Sequence, residues 1–447
     1  MLITDNTRMV QLGRPIVSLT TTIRLIAYSQ PHKIRIGVTK MKRTALYLAV
    51  AALSISPVVF ADTDQATLNE LRGQIAALTE RLNQMEEKTE ATATAVAAKP
   101  ASWAEKIVWN GDFRYRYETI DDERKDDERR RNRVRARIGL TAQVSEDIKA
   151  GVGLVSGSDD PVSSNQTLGS ANTTKGINLD TAWIDWKFAE NLHLVGGKTK
   201  NPYYKVGKNG LLWDGDYRPE GAHVAFDNGT IWATAGYHFL NSDNGSNADK
   251  DTEEMMGAQL GYRGKIFDNV KFKVGGSYFY IPVEGSTNIG SILEDSDDPD
   301  DINGFGNSLV GSVYEFDYEL VELFAEFSTK IADIPTTFFA DYVKNNDADE
   351  DTGYAAGVKF GKVKIKGDWE IGYTYQDLEA DAVFAIFTDS DFGGGGTDVK
   401  GHMFKAAYGI GKNTALAVTY LSNEYGDFTR DEEFDFDRLQ IDLQTKF

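Results

Sequence analysis

Four histidines stand downstream of residue 61: His193, His223, His238 and His402. A hydrolase would pair one of them with an activated serine, and nothing in the chain resembles an activated-serine motif. His223 and His238 fall inside alternating segments, where a lone histidine is structural or faces a pore. Asp347, Asp349 and Asp351 alternate as calcium ligands do, but the glutamate that an EF-hand loop needs at its twelfth position is missing. Asp295, Asp297, Asp298, Asp300 and Asp301 have no defined frame either. Both clusters read as solvated loops, with loose bridging of divalent ions to lipid phosphates as the functional option. The glycine run Gly393–Gly396 lacks the Lys-Ser/Thr and helix of a phosphate cradle, so it reads as a flexible loop. No catalytic residue, metal site or cofactor is therefore expected. What remains is charge at every second position: Arg114 and Arg116, then Arg133, Arg135 and Arg137, and later Lys271 and Lys273. Such rows perform no bond chemistry. They can line a wet conduit and select what passes.

The elements that would hold those rows must be extended. The chain has 447 residues, 42 glycines, 10 prolines, no cysteine and 11% aromatics. Without cysteine there is no disulfide framework, Cys-ligated zinc or iron–sulfur cluster. A mean hydropathy of −0.39 argues against a helical membrane bundle. A net charge of −20 argues against nucleic-acid binding. A hydrophobic share of 41% is too high for plain disorder. A large soluble β protein and a transmembrane β-barrel are left.

The first hundred residues precede the main domain. Met41-Lys42-Arg43 opens a charged start, Thr44 to Phe60 is apolar or small, and Val59-Phe60-Ala61 is a cleavage pattern before Asp62. This order reads as a signal peptide over 41–61, rather than a buried helix. Residues 1–40 then read as an upstream extension, with translation starting at Met41. Removing 1–61 takes eight basic residues and one acid, and deepens −20 to −27. Next, Leu68, Leu71, Ile75, Leu78, Leu82 and Met85 follow the 3-4 spacing of a coiled-coil seam. A lone helix of two to three heptads is marginal in water, so self-association is the expected way to bury it. The coiled coil is placed at 62–90, a linker at 91–103 and the main domain at 104–447.

From Trp103 onward the period is two. Val134, Ala136, Ile138, Leu140, Ala142 and Val144 alternate with Arg133, Arg135, Arg137, Gly139, Thr141 and Gln143. Runs of about ten with one apolar and one polar face fit a wall between lipid and a watery lumen. Sixteen strands are expected, centred near 113, 138, 152, 183, 195, 224, 235, 259, 275, 321, 340, 357, 372, 406, 418 and 441. Near 321, Tyr318 and Leu320 are out of phase with Leu323 and Ala325, which predicts a bulge. Short turns at 145–147, 227–229 and 411–413 alternate with long polar loops at 119–130, 157–176, 201–219, 241–252, 282–313 and 377–398. That asymmetry is expected of short periplasmic turns and long outer loops. The terminal Phe447, after alternating apolar residues, matches the signal that outer-membrane barrels present to the barrel-assembly machinery.

Around Leu194-Val195-Gly196-Gly197-Lys198-Thr199-Lys200-Asn201-Pro202 and Leu212-Trp213-Asp214-Gly215-Asp216-Tyr217-Arg218-Pro219-Glu220-Gly221 the chain resembles the putative porin family of Gram-negative outer membranes. The resemblance covers about 104–447. It implies a water-filled, trimeric diffusion channel in outer-membrane lipid and lipopolysaccharide, passing small polar solutes, with the N-terminal coiled coil in the periplasm. In sixteen-stranded porins the third long loop folds into the lumen. Here that loop would bring Lys205, Lys208, Asp214, Asp216 and Arg218, with Glu220 at its end. Its carboxylates could face the arginines across a narrow pore and set up a transverse field, or Asp214 and Asp216 could only brace the loop. The rival classes are an outer-membrane barrel hydrolase and a surface adhesin.

Overall fold

The computed structural model describes residues 69–70, 72–85, 106–242, 252–286 and 304–447. The extension 1–40, signal peptide 41–61, linker 91–103, Leu68, Leu71 and the acidic run 295–301 lie outside the described residues. The N-terminal segment and the remainder form two separate compact units. In the first, residues 72–85 are helical. Ile75, Leu78, Leu82 and Met85 are all exposed on it, so the apolar stripe exists, whereas a coiled coil would need a second copy.

In the second unit, sixteen wall strands follow one another: β1 (Ile107–Asp122), β2 (Arg129–Gln143), β3 (Ile148–Ser156), β4 (Ile177–Ala189), β5 (Leu192–Lys198), β6 (Glu220–Asp227), β7 (Ile231–Asn241) and β8 (Glu253–Ile266). The second half comprises β9 (Val270–Ile281), β10 (Tyr318–Ile331), β11 (Ile334–Asn345), β12 (Thr352–Gly361), β13 (Trp369–Leu378), β14 (Val399–Gly411), β15 (Thr414–Tyr425) and β16 (Phe434–Lys446). Each expected centre falls within one strand. Every strand pairs antiparallel with its sequence neighbours, and β1 pairs with β16 from Asp112↔Lys446 to Asp122↔Phe436. The sheet is thus a closed barrel, which leaves no open edge for other chains to pair with.

The dyad pattern sets the two faces. Phe113, Tyr115, Ile138, Leu260, Phe404, Ile441 and Leu443 are exposed on the outer wall. Toward the long-loop end, outer tyrosines hydrogen-bond polar neighbours: Tyr278 to Glu319, Tyr354 to Asp377 and Tyr420 to Asp437. An apolar ring with a wet hydroxyl suits the interfacial girdle of a membrane barrel.

Two expectations are corrected. The first loop spans only 123–128, because β1 runs on to Asp122 and β2 begins at Arg129. No bulge interrupts β10, whose register with β9 and β11 is continuous. Tyr318 and Leu320 face inward and are buried, whereas Val321 and Leu323 face outward and are exposed. The apolar residues change face because the long-loop half of the lumen is itself packed. Met255, Phe279, Ile281, Tyr318, Leu320, Val343, Leu378, Val399 and Leu421 all contribute inward to one apolar cluster there.

Candidate functional site in the barrel lumen

The inner filling comes from loops. Segment 199–219, between β5 and β6, is the third connection at the long-loop end and folds into the barrel. Its Tyr203, Val206, Leu211, Leu212, Trp213 and Tyr217 are each at most 4% exposed. The wall makes room for it. Gly236 and Gly257 are register partners on β7 and β8, and a Cβ on either would lie within 2.7 Å of the Tyr203 hydroxyl. That hydroxyl sits 3.1 Å from His238 Nε2. The loop then crosses to β10 and β11, where Tyr204 donates to Glu326 at 2.8 Å and Asn209 donates to Asp341 at 2.7 Å.

A second loop, 379–398 between β13 and β14, enters as well. Ala380, Ala382, Val383, Phe384, Ile386, Phe387 and Phe392 are buried. It docks on the first loop: the Asp214 amide donates to Phe387 O at 2.6 Å, and the Asp389 amide donates to Gly210 O at 3.2 Å. Phe387 lies 4.4 Å from Tyr217 and 6.1 Å from Trp213, ring centre to ring centre. Segment 304–317 also packs in, with the Asn307 side-chain Nδ2 donating to Ala380 O and Val383 O. This corrects the reading of Gly393–Gly396 as a free flexible loop. Thr388 receives the Gly396 amide at 3.0 Å, and Gly393 N donates to Asn423.

The arginines share one sector of the inner wall. Arg114 is the register partner of Arg135, and Arg116 of Arg133. Like charges opposed in this way repel, so carboxylates are interleaved. Asp112 bonds Arg135 at 3.0 Å and Arg137 at 2.7 Å. Asp442 on β16 takes a bidentate pair from Arg116 at 2.7 and 2.9 Å. Glu118 receives Arg131 and lies 3.6 Å from Arg133. The loops supply two more anions. Asp216 meets Arg137 at 2.8 Å and Arg135 at 3.7 Å. Asp391 meets Arg116 at 2.9 Å and Arg438 at 3.0 Å. Asp216 and Asp391 thus touch the arginines directly. Burial opposes ionisation of Asp216, a loop residue between spanning strands. Arg135, Arg137 and the Ser164 hydroxyl outweigh that cost and hold its pKa below the ordinary 3.8.

The other expected residues sort as follows. Asp214 accepts the Asp216 and Ser390 amides and so ties the two loops together. Lys205 donates to Trp213 O at 2.5 Å. Arg218 holds Asp180 on β4 at 3.1 Å. Glu220 is a correction: it begins β6, is exposed, and bonds Lys198 at 2.6 Å on the outer face. Lys208, Lys271 and Lys273 border a cavity of about 1330 Å³ on the short-turn side of the inner loops. A second space of about 760 Å³ lies beside β1 to β6, and Lys205, Asp214 and Gly215 border both. Phe447 pairs through its backbone with Gly111 of β1. His193 bonds Asp185, His238 meets Tyr203 and His402 meets Tyr373. Among the described residues these ring partners are a carboxylate and two tyrosine hydroxyls, not a serine hydroxyl.

Sequence reading missed Asp112, Glu118, Asp391, Asp442, Arg131 and Arg438 as partners in this network. Parity held the signal for the strand residues, since Asp112 and Glu118 share the face of Arg114, and Asp442 alternates with Ile441 and Leu443. The second inner loop was announced by Ala382–Phe387, an apolar run that a solvated outer loop has no reason to carry.

A model of the putative porin family matches residues 120–309 and 312–447. The chain belongs to that family. It is an outer-membrane barrel of the porin kind. No curated protein matches. Similar solved structures include OprB of Pseudomonas putida at high pH, 12% identical with a TM-score of 0.49, over 76% of this chain and 94% of that one. OmpF of Salmonella typhi with daunomycin is 13% identical with a TM-score of 0.46, over 76% and 97%. A triple-mutant Rhodopseudomonas blastica porin is 10% identical with a TM-score of 0.44, over 76% and 100%.

Proposed function

We propose that this porin forms a water-filled channel for passive diffusion of small hydrophilic solutes and ions, and performs no catalysis. The observation that carries this reading is a closed wall enclosing a charged cavity of about 1330 Å³ that reaches the inner loops from the short-turn side. Apolar packing fills the long-loop half over β8 to β15, so passage runs beside the arginine sector of β1, β2 and β16. Arg114, Arg116, Arg133, Arg135, Arg137, Lys271 and Lys273 line the path. Lys205, Lys208, Asp214, Asp216 and Arg218 form the narrowing.

In this reading residues 41–61 are the cleaved signal peptide, and 62–90 form a periplasmic coiled coil joining a homotrimer. Residues 91–103 link it to the barrel of 104–447, and Phe447 marks the strand read by the assembly machinery. The exposed stripe of Ile75, Leu78, Leu82 and Met85 supports self-association through this segment.

The test is conductance of purified protein in planar bilayers, beside lipase and protease assays. Discrete ohmic steps are expected, with no hydrolysis. A barrel that keeps heat-modifiable gel mobility but passes no current would overturn the reading.

A further inference from the structure

The wall opposite the arginine sector carries a different arrangement. Reading register partners from β8 to β14 gives one row: Lys265, Lys271, Ser328, Thr337, Lys359, Gly372 and Lys405. Direct partners share one face of a sheet, and all seven border the large cavity. The row holds four lysines, two hydroxyls, one glycine and no acid. Lys265 stands directly opposite Lys271, a like-charge pairing that costs stability. Lys359 and Lys405 flank Gly372, whose added Cβ would have only one atom within 4 Å, at 3.8 Å. At about 4.8 Å per strand spacing, their backbones are roughly 10 Å apart with nothing between them, so two flexible ammonium groups can converge on one guest.

These charges are not absorbed by the protein. Among the described residues none of the four lysines has a carboxylate within 4.0 Å, whereas in the arginine sector Arg114, Arg116, Arg131, Arg133, Arg135, Arg137 and Arg438 each have one. The lining of the whole cavity has fourteen Lys and Arg against seven Asp and Glu. Four of those seven acids, Asp216, Glu326, Asp391 and Asp442, are already held in ion pairs. Lys208 reaches in from the inner loop. Burial, then the nearby Lys359 and Lys446, lowers its pKa, so the positive field extends to the narrowing. Glu370, two residues along β13 from Gly372, is the acid that borders the cavity on the strand between Lys359 and Lys405, and among the described residues it makes no ion pair with either. A like-charged row without a carboxylate in ion-pair contact is unfavourable to the empty barrel and favours an arriving anion.

We propose that the lysine row makes this porin selective for small anions, the class that bears chloride-like, phosphate or carboxylate charge, despite the chain's net charge of −20. The proposal rests on the diffusion-channel reading. Its test is the reversal potential of the full mature protein in planar bilayers under a KCl gradient. The wild type should favour chloride, and the preference should shrink as salt rises from 0.1 M to 1 M, because the screening length falls from about 10 to 3 Å. The triple variant Lys271→Gln, Lys359→Gln, Lys405→Gln should lower the chloride-to-potassium permeability ratio on the order of tenfold, the low end of what a focused field does to local ion concentration. Heat-modifiable mobility reports that the variant is folded, and the salt series needs no variant. A conducting wild type that favours potassium or neither ion overturns the proposal and leaves the channel reading intact. A folded triple variant with an unchanged ratio does the same. A folded barrel without conductance overturns the channel reading and this inference with it.

Discussion

Asp216 is where the loop and wall depend on one side chain. It accepts Arg137 at 2.8 Å and the Ser164 hydroxyl at 2.5 Å. Asp216→Ala removes both and leaves Arg135 and Arg137 sharing Asp112. The predicted result is a destabilisation of about 1–3 kcal/mol, typical of an unsatisfied charged partner, measured by thermal loss of heat-modifiable mobility. Single-channel recordings should show a larger conductance with more frequent fluctuations. Acid offers the same release without mutation. The native pKa of Asp216 is depressed, so its contribution is present above the unfolded carboxylate pKa and is lost as pH falls through the lower native value. The noise that Asp216→Ala produces should therefore appear on acidification only below about pH 3.9, whereas loosening at higher pH would belong to Asp214 and Asp389, whose pKa values burial raises. Charge reversal of Arg135, which pairs with Asp112 and Asp216, should shift the reversal potential, and an unchanged value would remove it from the path. The arginines were legible in the sequence because parity alone assigns a face. Their partners were not, because Asp442 lies 326 residues from Arg116 and only barrel closure brings the two together.

At the scale of elements, the two inner loops act as one packed body. Phe387 is its hinge pin, in ring contact with Trp213, Tyr217 and Phe384. Phe387→Ala should cost about 3–5 kcal/mol, the range for deleting a buried aromatic, read as a lower melting temperature of the folded band. It should also raise conductance, since the loops are joined there. All sixteen strands were readable because a two-residue period is a local signal that every wall strand repeats. The phase change near 321 was misread as a bulge because it reports a non-local fact. Inward positions such as Tyr318 and Leu320 are apolar only where loops fill the lumen, and watery elsewhere. The entry of 379–398 was hidden for the same reason: a loop's destination is written in its contacts with β13 to β16, not in its own period.

At the scale of the molecule, charge is separated along the barrel axis. The lysine row faces the short-turn side, while acids such as Asp126, Asp127, Asp349, Glu432 and Glu433 belong to the connections at the other end. Deleting residues 62–100 tests the assembly: cross-linking should lose its trimer band while the barrel keeps heat-modifiable mobility. A trimer that survives the deletion would assign self-association to the barrel wall alone. The seam between β1 and β16 has a consequence for how the porin is built. Arg116 on the first strand binds Asp442 on the last, and the same guanidinium binds Asp391 of an inner loop. Zipping the first strand to the last while that loop is outside would leave Arg116 and Arg438 short of their shared anion. Closure with the loop already threaded is therefore the energetically favoured order, since it leaves neither guanidinium waiting for Asp391.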